Sequence, residues 1–198
     1  MLKQFLNSHG TLWFALALPA VAILYLYGRD AFSYGEVIHA SGEWAVRLLV
    51  LTLAITPLRL AFARARWPSW LMQRRRALGV AVFGYALLHT IVYVARKQDV
   101  ALMLEEGAEW DLLTGWLALA VYLPLALTSN DRAVRLLKRV WKKLHRLVYP
   151  ATVLTFLHWM LTAFDMTPAL IYAGILGLLE ALRLVLTFVR VRQRSTSA

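Results

Sequence analysis

The chain has 198 residues, of which 60% are hydrophobic; it carries a formal net charge of +11, has no cysteine, and its mean hydropathy is +0.58. The lack of cysteine excludes disulfides, iron–sulfur ligation, thiolate zinc sites and covalent haem attachment through C-x-x-C-H. The apolar runs are as long as a bilayer is thick, about 20 residues per helix, so the sequence describes an integral membrane domain and not a soluble core.

Six membrane spans are expected, at about 10–27, 43–60, 77–95, 112–129, 147–164 and 166–189. The fold class is therefore an all-α bundle of six transmembrane helices in one domain, 1–198. Span one carries Pro19, which membrane helices tolerate. It is read as retained, since no small-residue cleavage site follows Lys3. Span two is interrupted by Arg47, with Glu43 four residues earlier, the spacing at which side chains pair on a helix. Span three, Ala77–Ala95, has no acidic or basic side chain except His89. Span four is clean. Between spans four and five, Asp131–His145 places Val134, Leu137, Val140, Trp141 and Leu144 at helical spacing among basic residues. That pattern is an amphipathic helix lying at an interface, with Asn130 or Asp131 as its cap. Span five, Leu147–Phe164, has no acidic or basic side chain except His158. Span six contains Glu180 and Arg183, three apart and able to pair.

Charge alternates between the connecting segments. Seventeen of the 22 basic residues fall on one side, in the N-terminus, 59–76, 132–146 and 190–194, and nine of the 11 acids fall on the other. The positive-inside rule puts both termini in the cytoplasm and the loops at 28–42, 96–111 and around Asp165 outside. The basic segments read as a collar facing anionic membrane lipids, and nucleic acid is not an expected partner. On the outer side Glu105, Glu106, Glu109 and Asp111 form an acidic stretch that would steer a basic partner or else only mark topology.

His89 and His158 carry the chemistry. A titratable ring in hydrocarbon marks a functional site by default. Spans three and five run in the same direction, and the two histidines lie roughly 16–18 Å from the inner edge of the membrane at 1.5 Å per residue. Equal depth suits one haem held between two helices. Two other readings stay open: histidines that serve as interhelical glue, and a histidine-based proton or ion transporter without haem. His145 precedes His158 by 13 residues, roughly 20 Å along a continuous helix, which is a spacing for a second, inner haem. On an ideal helix the two rings would differ by about 140° in azimuth, and Pro150 between them could reset that phase. Counting back from His89 reaches Arg76 and Arg75, so His145 has no histidine partner on span three. Its other reading is an interfacial histidine. His9 is a weak candidate for the missing ligand, and His39 falls in an outer loop.

The stretch Arg74–Tyr93, with Leu78-Gly79, Tyr85, Leu88-His89 and Tyr93, resembles the third span of the MsrQ (YedZ) family. So does Trp141–Pro150, with Leu144-His145 and Tyr149-Pro150, continuing to His158-Trp159. More widely the pattern resembles the ferric-reductase-like transmembrane domain, whose members carry two histidines on each of two spans; this chain lacks one of the four, at Arg75/Arg76. The resemblance implies a b-type haem cytochrome of the bacterial inner membrane, with one haem at His89 and His158 and a second at His145. It implies FMN as a further cofactor, with no site marked. The basic faces around Arg74–Arg76, with Arg75 and Arg76, and around Lys142–Arg146 could hold a phosphate or haem propionates, or serve only as the lipid-facing collar. It implies electron supply from the quinone pool or a cytosolic flavin reductase, and delivery to a periplasmic MsrP-type molybdopterin subunit that reduces methionine sulfoxide. No G-x-G-x-x-G nicotinamide fingerprint is present.

Overall fold

A computed structural model describes residues 8–196, and among them there are eight helices and no strand. Lys3 lies outside the described residues, as do the side chains of His9 and Arg194.

Helix α1 (His9–Gly28) starts at Ser8, whose side chain accepts from the Thr11 amide. It is docked by an insertion. The Ala20 amide donates to the Tyr85 hydroxyl at 3.0 Å, and that hydroxyl donates to the Leu16 carbonyl at 2.8 Å. Leu16 is the residue whose carbonyl Ala20 would bond in an unbroken helix, so Tyr85 enters the ladder just past Pro19.

Helix α2 (Tyr34–Ala61) is the central element. It begins nine residues before the expected start of span two. Ser33 and Glu36 form a capping box, which satisfies the first amides and draws His39 and Glu43 into the helix. His39, expected in a loop, is thus helical. Leu49, Leu53 and Ile55 of α2 are almost fully buried, and the helix packs mainly on α3 (Trp67–Lys97) and α8 (Thr167–Thr196).

Beyond α3, the expected 96–111 loop contains a short helix, α4 (Val100–Gly107), capped by Asp99. It is tied back to α3 by Lys97–Glu106 at 2.5 Å and by the Tyr93 hydroxyl donating to Glu106 at 3.2 Å. The ammonium of Lys97 holds the Glu106 carboxyl below its usual pKa.

Helix α5 (Trp110–Leu127) pairs with α7 (Val148–Thr162). Between them lies the amphipathic helix α6 (Asp131–His145), capped by the Asn130 side chain on the Ala133 amide at 2.9 Å. Lys138 interrupts it with φ 47° and ψ −114°. Trp141 donates to the Thr128 carbonyl at 2.9 Å, and Arg76 of α3 pairs with Asp131 at 2.6 Å.

Helices α1, α2, α3, α5 and α8 are long and apolar enough to cross a membrane. The region of span five, the remaining one of the six expected, folds as a shorter helix of 15 residues, because Leu147 is its N-cap and Ala163 is extended. It rises roughly 22 Å and packs against α5 within the bundle. One expectation is corrected, the continuous helix between His145 and His158. Arg146 and Leu147 form a turn that separates α6 from α7, with the Leu147 amide bonded to the Leu144 carbonyl at 2.9 Å. The helical phase argument therefore does not connect the two rings.

Tyr85→Phe removes the hydroxyl that joins α1 to α3. We expect a loss of about 1 kcal/mol in the docking of α1, read as faster hydrogen exchange at Ala20 and its neighbours. The Arg76–Asp131 contact sets a pH dependence. The guanidinium holds the Asp131 carboxyl below the ordinary value of 3.8. A depressed folded-state pKa gives stability that is full above the unfolded value and is lost as pH falls through the folded one. Spin labels on α3 and α6 should therefore move apart as pH falls below about 4, and Asp131→Asn should remove that transition.

Candidate functional site

Helices α2, α3, α5 and α7 enclose a cavity of about 560 Å³. Its walls are chiefly apolar, with Val46, Leu49 and Val82 toward one end and Leu112, Ala163 and Phe164 toward the other. At the first end the Tyr122 hydroxyl lies 2.9 Å from Thr155 Oγ1. Thr155 gives its single proton to the Ala151 carbonyl at 2.8 Å, so Tyr122 is the donor to Thr155. The volume lies in the range of small-molecule and cofactor sites, roughly 300–1,000 Å³.

His89 of α3 and His158 of α7 meet across this cavity. Their ring centroids are 6.2 Å apart and their planes are 88° from parallel. The two spans expected to carry histidines at matching positions thus bring their rings close together. Each ring is also anchored to the helix beside its own. His89 Nδ1 lies 2.9 Å from the Ile38 carbonyl of α2, and His158 Nδ1 lies 2.6 Å from the Asp111 carbonyl of α5. A carbonyl oxygen only accepts, so both Nδ1 atoms carry the proton. In the neutral ring the lone pair is then on Nε2, available to a metal. This is the outer hydrogen bond that fixes tautomer and ring orientation in metal-ligating histidines.

The donor set restricts what the pair can hold. Among the described residues no group of three or more His, Cys, Asp or Glu could hold a metal ion. Two imidazoles alone suit a metal that brings its other ligands with it.

The other sequence candidates lie elsewhere. His145 stacks on Trp141 with centroids 3.9 Å apart; its Nδ1 is 3.1 Å from the Trp141 carbonyl and its Nε2 is 3.3 Å from Ser129 Oγ. Burial holds its pKa below the usual histidine value, and the nearby guanidinium groups of Arg75 and Arg76 act in the same direction. Arg75 donates to Thr56 Oγ1 at 3.3 Å, and Arg76 is engaged by Asp131. None of these three joins the His89–His158 pair. The Glu43–Arg47 pair is formed at 2.6 Å, and Arg47 also donates to the Tyr172 hydroxyl at 3.2 Å. Glu180 and Arg183 pair at 2.9 Å, and Arg183 further contacts the Tyr149 hydroxyl. His39 lines the cavity, with Nε2 3.9 Å from Glu43. Of the acidic stretch, Glu105 and Glu109 are exposed, Glu106 is tied to Lys97, and Asp111 accepts from the Leu112 amide at 2.8 Å.

Sequence reasoning missed the two carbonyl anchors, because a main-chain acceptor has no residue signature. It also missed Gly42 and Gly115, each four residues after an anchor and each at a point where a Cβ would press on the histidine ring.

A family model described as "Ferric reductase like transmembrane component" matches residues 41–156, a stretch running from α2 into α7 that includes His89. A helical domain with several helices long and apolar enough to cross a membrane is in keeping with that description. Among relatives, the "Protein-methionine-sulfoxide reductase heme-binding subunit MsrQ" of Rhodospirillum rubrum is 43% identical over 154 residues, covering 73% of this chain and 70% of the relative. The protein of the same name from Xanthomonas campestris pv. campestris (strain B100) is 39% identical over 178 residues, covering 86% and 78%. That of Xanthomonas axonopodis pv. citri is 37% identical over 183 residues, covering 85% and 82%. The chain belongs to the ferric-reductase-like transmembrane family and, within it, to the MsrQ family. No solved structure matches it.

Proposed function

We propose that the chain is the haem-binding electron-transfer subunit of a methionine sulfoxide reductase system, with one b-type haem held by His89 and His158. The observation that carries this reading is the 6.2 Å separation of two rings whose Nδ1 atoms are both committed to carbonyls. With Nδ1 so committed, the Nε2 atoms of His89 and His158 would hold the haem iron, and the cavity around them is large enough and apolar enough for a porphyrin. The names of the relatives, each a "heme-binding subunit", support the same cofactor.

His89 and His158 would hold the haem there, and it would supply one-electron chemistry. The residues of the chain do the rest. The Ile38 and Asp111 carbonyls orient the two imidazoles and raise their basicity. Val46, Leu49, Val82 and Ala118 keep water from the pocket walls. The α-helical bundle satisfies its own backbone within the bilayer.

The partner is proposed to be an MsrP-type periplasmic catalytic subunit, with electrons supplied by the quinone pool or a cytosolic flavin reductase. The location is proposed to be the bacterial inner membrane, with both termini cytoplasmic; the charge alternation of the connecting segments supports that orientation. At the other end of the bundle, a second haem or an FMN would meet Arg75, Arg76 and His145. Ligation by His145 would require its Nε2 to leave Ser129.

His89→Ala and His158→Ala should each remove the low-spin haem of this site from the purified protein, while His145→Ala leaves that haem in place. Full haem content with an unchanged reduced spectrum in both of the first two variants would contradict the assignment. A protein without a Soret band in any form would point to a histidine-based transporter. For orientation, single cysteines at Asp99 and Ser195 should differ towards a membrane-impermeant thiol reagent applied to whole cells. Asp99→Cys should label and Ser195→Cys should not, and the opposite result would invert the topology.

A further inference from the structure

The two histidines are seated in the same way on two different helices. His89 bonds the carbonyl of Ile38, and its ring lies against Gly42, four residues further along α2. His158 bonds the carbonyl of Asp111, and its ring lies against Gly115, four residues further along α5. In an α-helix the carbonyl of residue i lies beside residue i+4, whose amide it accepts. A side chain at i+4 would stand where an external donor must approach that carbonyl. Glycine leaves the approach open.

The fit is close at both seats. A Cβ at Gly115 would lie 2.8 Å from His158 Nδ1, 2.9 Å from Cε1 and 3.1 Å from Cγ. A Cβ at Gly42 would lie 3.2 Å from His89 Nδ1 and 3.4 Å from Cε1. Other glycines within the membrane helices are different: around Gly84, Gly174 and Gly177 there is nothing within 4 Å. Glycine is a poor residue for the middle of a helix, so its use at these two points calls for a packing reason. Here the reason is the imidazole.

We propose that Gly42 and Gly115 are positioning residues for haem ligation: each presents the carbonyl four residues earlier to one ligand histidine and thereby fixes its ring plane. The inference rests on the reading of His89 and His158 as the haem ligands. The two seats together hold the ring planes 88° apart. Each ligand donates π density along the normal to its own plane, so perpendicular planes act on different iron d orbitals and keep those orbitals close in energy. The ferric protein should then show a strongly anisotropic low-spin EPR signal and not the rhombic signal of parallel imidazoles. The carbonyl bonds also make the ligands more basic, which favours the ferric state and lowers the midpoint potential.

The test compares EPR spectra, midpoint potentials and haem content of the purified full-length protein and three variants. Gly115→Ala should lose haem, or else retain it with a signal moved towards rhombic and a raised potential. Gly42→Ala, where the ring need yield only a few tenths of an ångström, should keep haem and show smaller shifts in the same directions. Gly84→Ala, in the same membrane helix as His89 but in open space, should match the wild type in all three readouts. If Gly115→Ala does not accumulate, the Gly42→Ala signal and potential decide. Wild-type spectra and potentials in both seat variants would overturn the proposal while leaving the haem ligands standing. An equal shift in Gly84→Ala would overturn it too, by making the effect one of general helix packing. A wild-type protein that binds no low-spin haem would overturn the ligand assignment itself, so the two failures are distinguishable.

Discussion

A carbonyl oxygen can accept a hydrogen bond but cannot donate one, and the centre of this protein depends on that. Ile38 and Asp111 each receive a proton from a histidine Nδ1 on a neighbouring helix. The bonds settle tautomer and ring direction without any charged partner, which would be expensive in hydrocarbon. They also join the helices in pairs, α2 with α3 and α5 with α7, so the orientation of the two rings and the bundle packing are one set of contacts. Burying two imidazoles without such partners would cost each its hydrogen bonds to water.

The rest of the bundle supports this arrangement. Helix α2 is the most enclosed element, and its capping box extends it far enough to bring Ile38, His39 and Gly42 to the level of His89. The short α4, tied to Tyr93 and Lys97, closes the connection between α3 and α5. Two pairs of opposite charges form within the long helices: Glu43 with Arg47, and Glu180 with Arg183. Both pairs are short in sequence, three or four residues apart, and so are brought within reach by helical geometry alone.

That locality explains what could be read from the amino-acid sequence. The matched depth of His89 and His158 follows from a constant rise per residue, and the rings do meet. The Glu43–Arg47 and Glu180–Arg183 pairs and the Asn130 cap follow from helical spacing and capping chemistry. The early start of α2 was also within reach, since Ser33 and Glu36 stand at capping-box spacing, but the apolar run begins later and hydropathy dominated the boundary. The break between α6 and α7 and the left-handed Lys138 have no comparable marker. The turn at Arg146–Leu147 shortened the helix carrying His158 and separated it from His145, whose ring instead found Trp141 and Ser129. The carbonyl anchors and their glycine seats were not legible, because they join residues 51 and 47 positions apart.

The central claim is that two neutral imidazoles, proton on Nδ1 and lone pair on Nε2, face one metal centre inside the bundle. Near-infrared magnetic circular dichroism of the oxidised purified protein tests it most directly, since the ligand-to-iron charge-transfer band reports the identity of both axial ligands. The account predicts a single low-spin species with the band of bis-imidazole ligation. A high-spin ferric centre, or a band belonging to histidine paired with water, hydroxide or methionine, would contradict it.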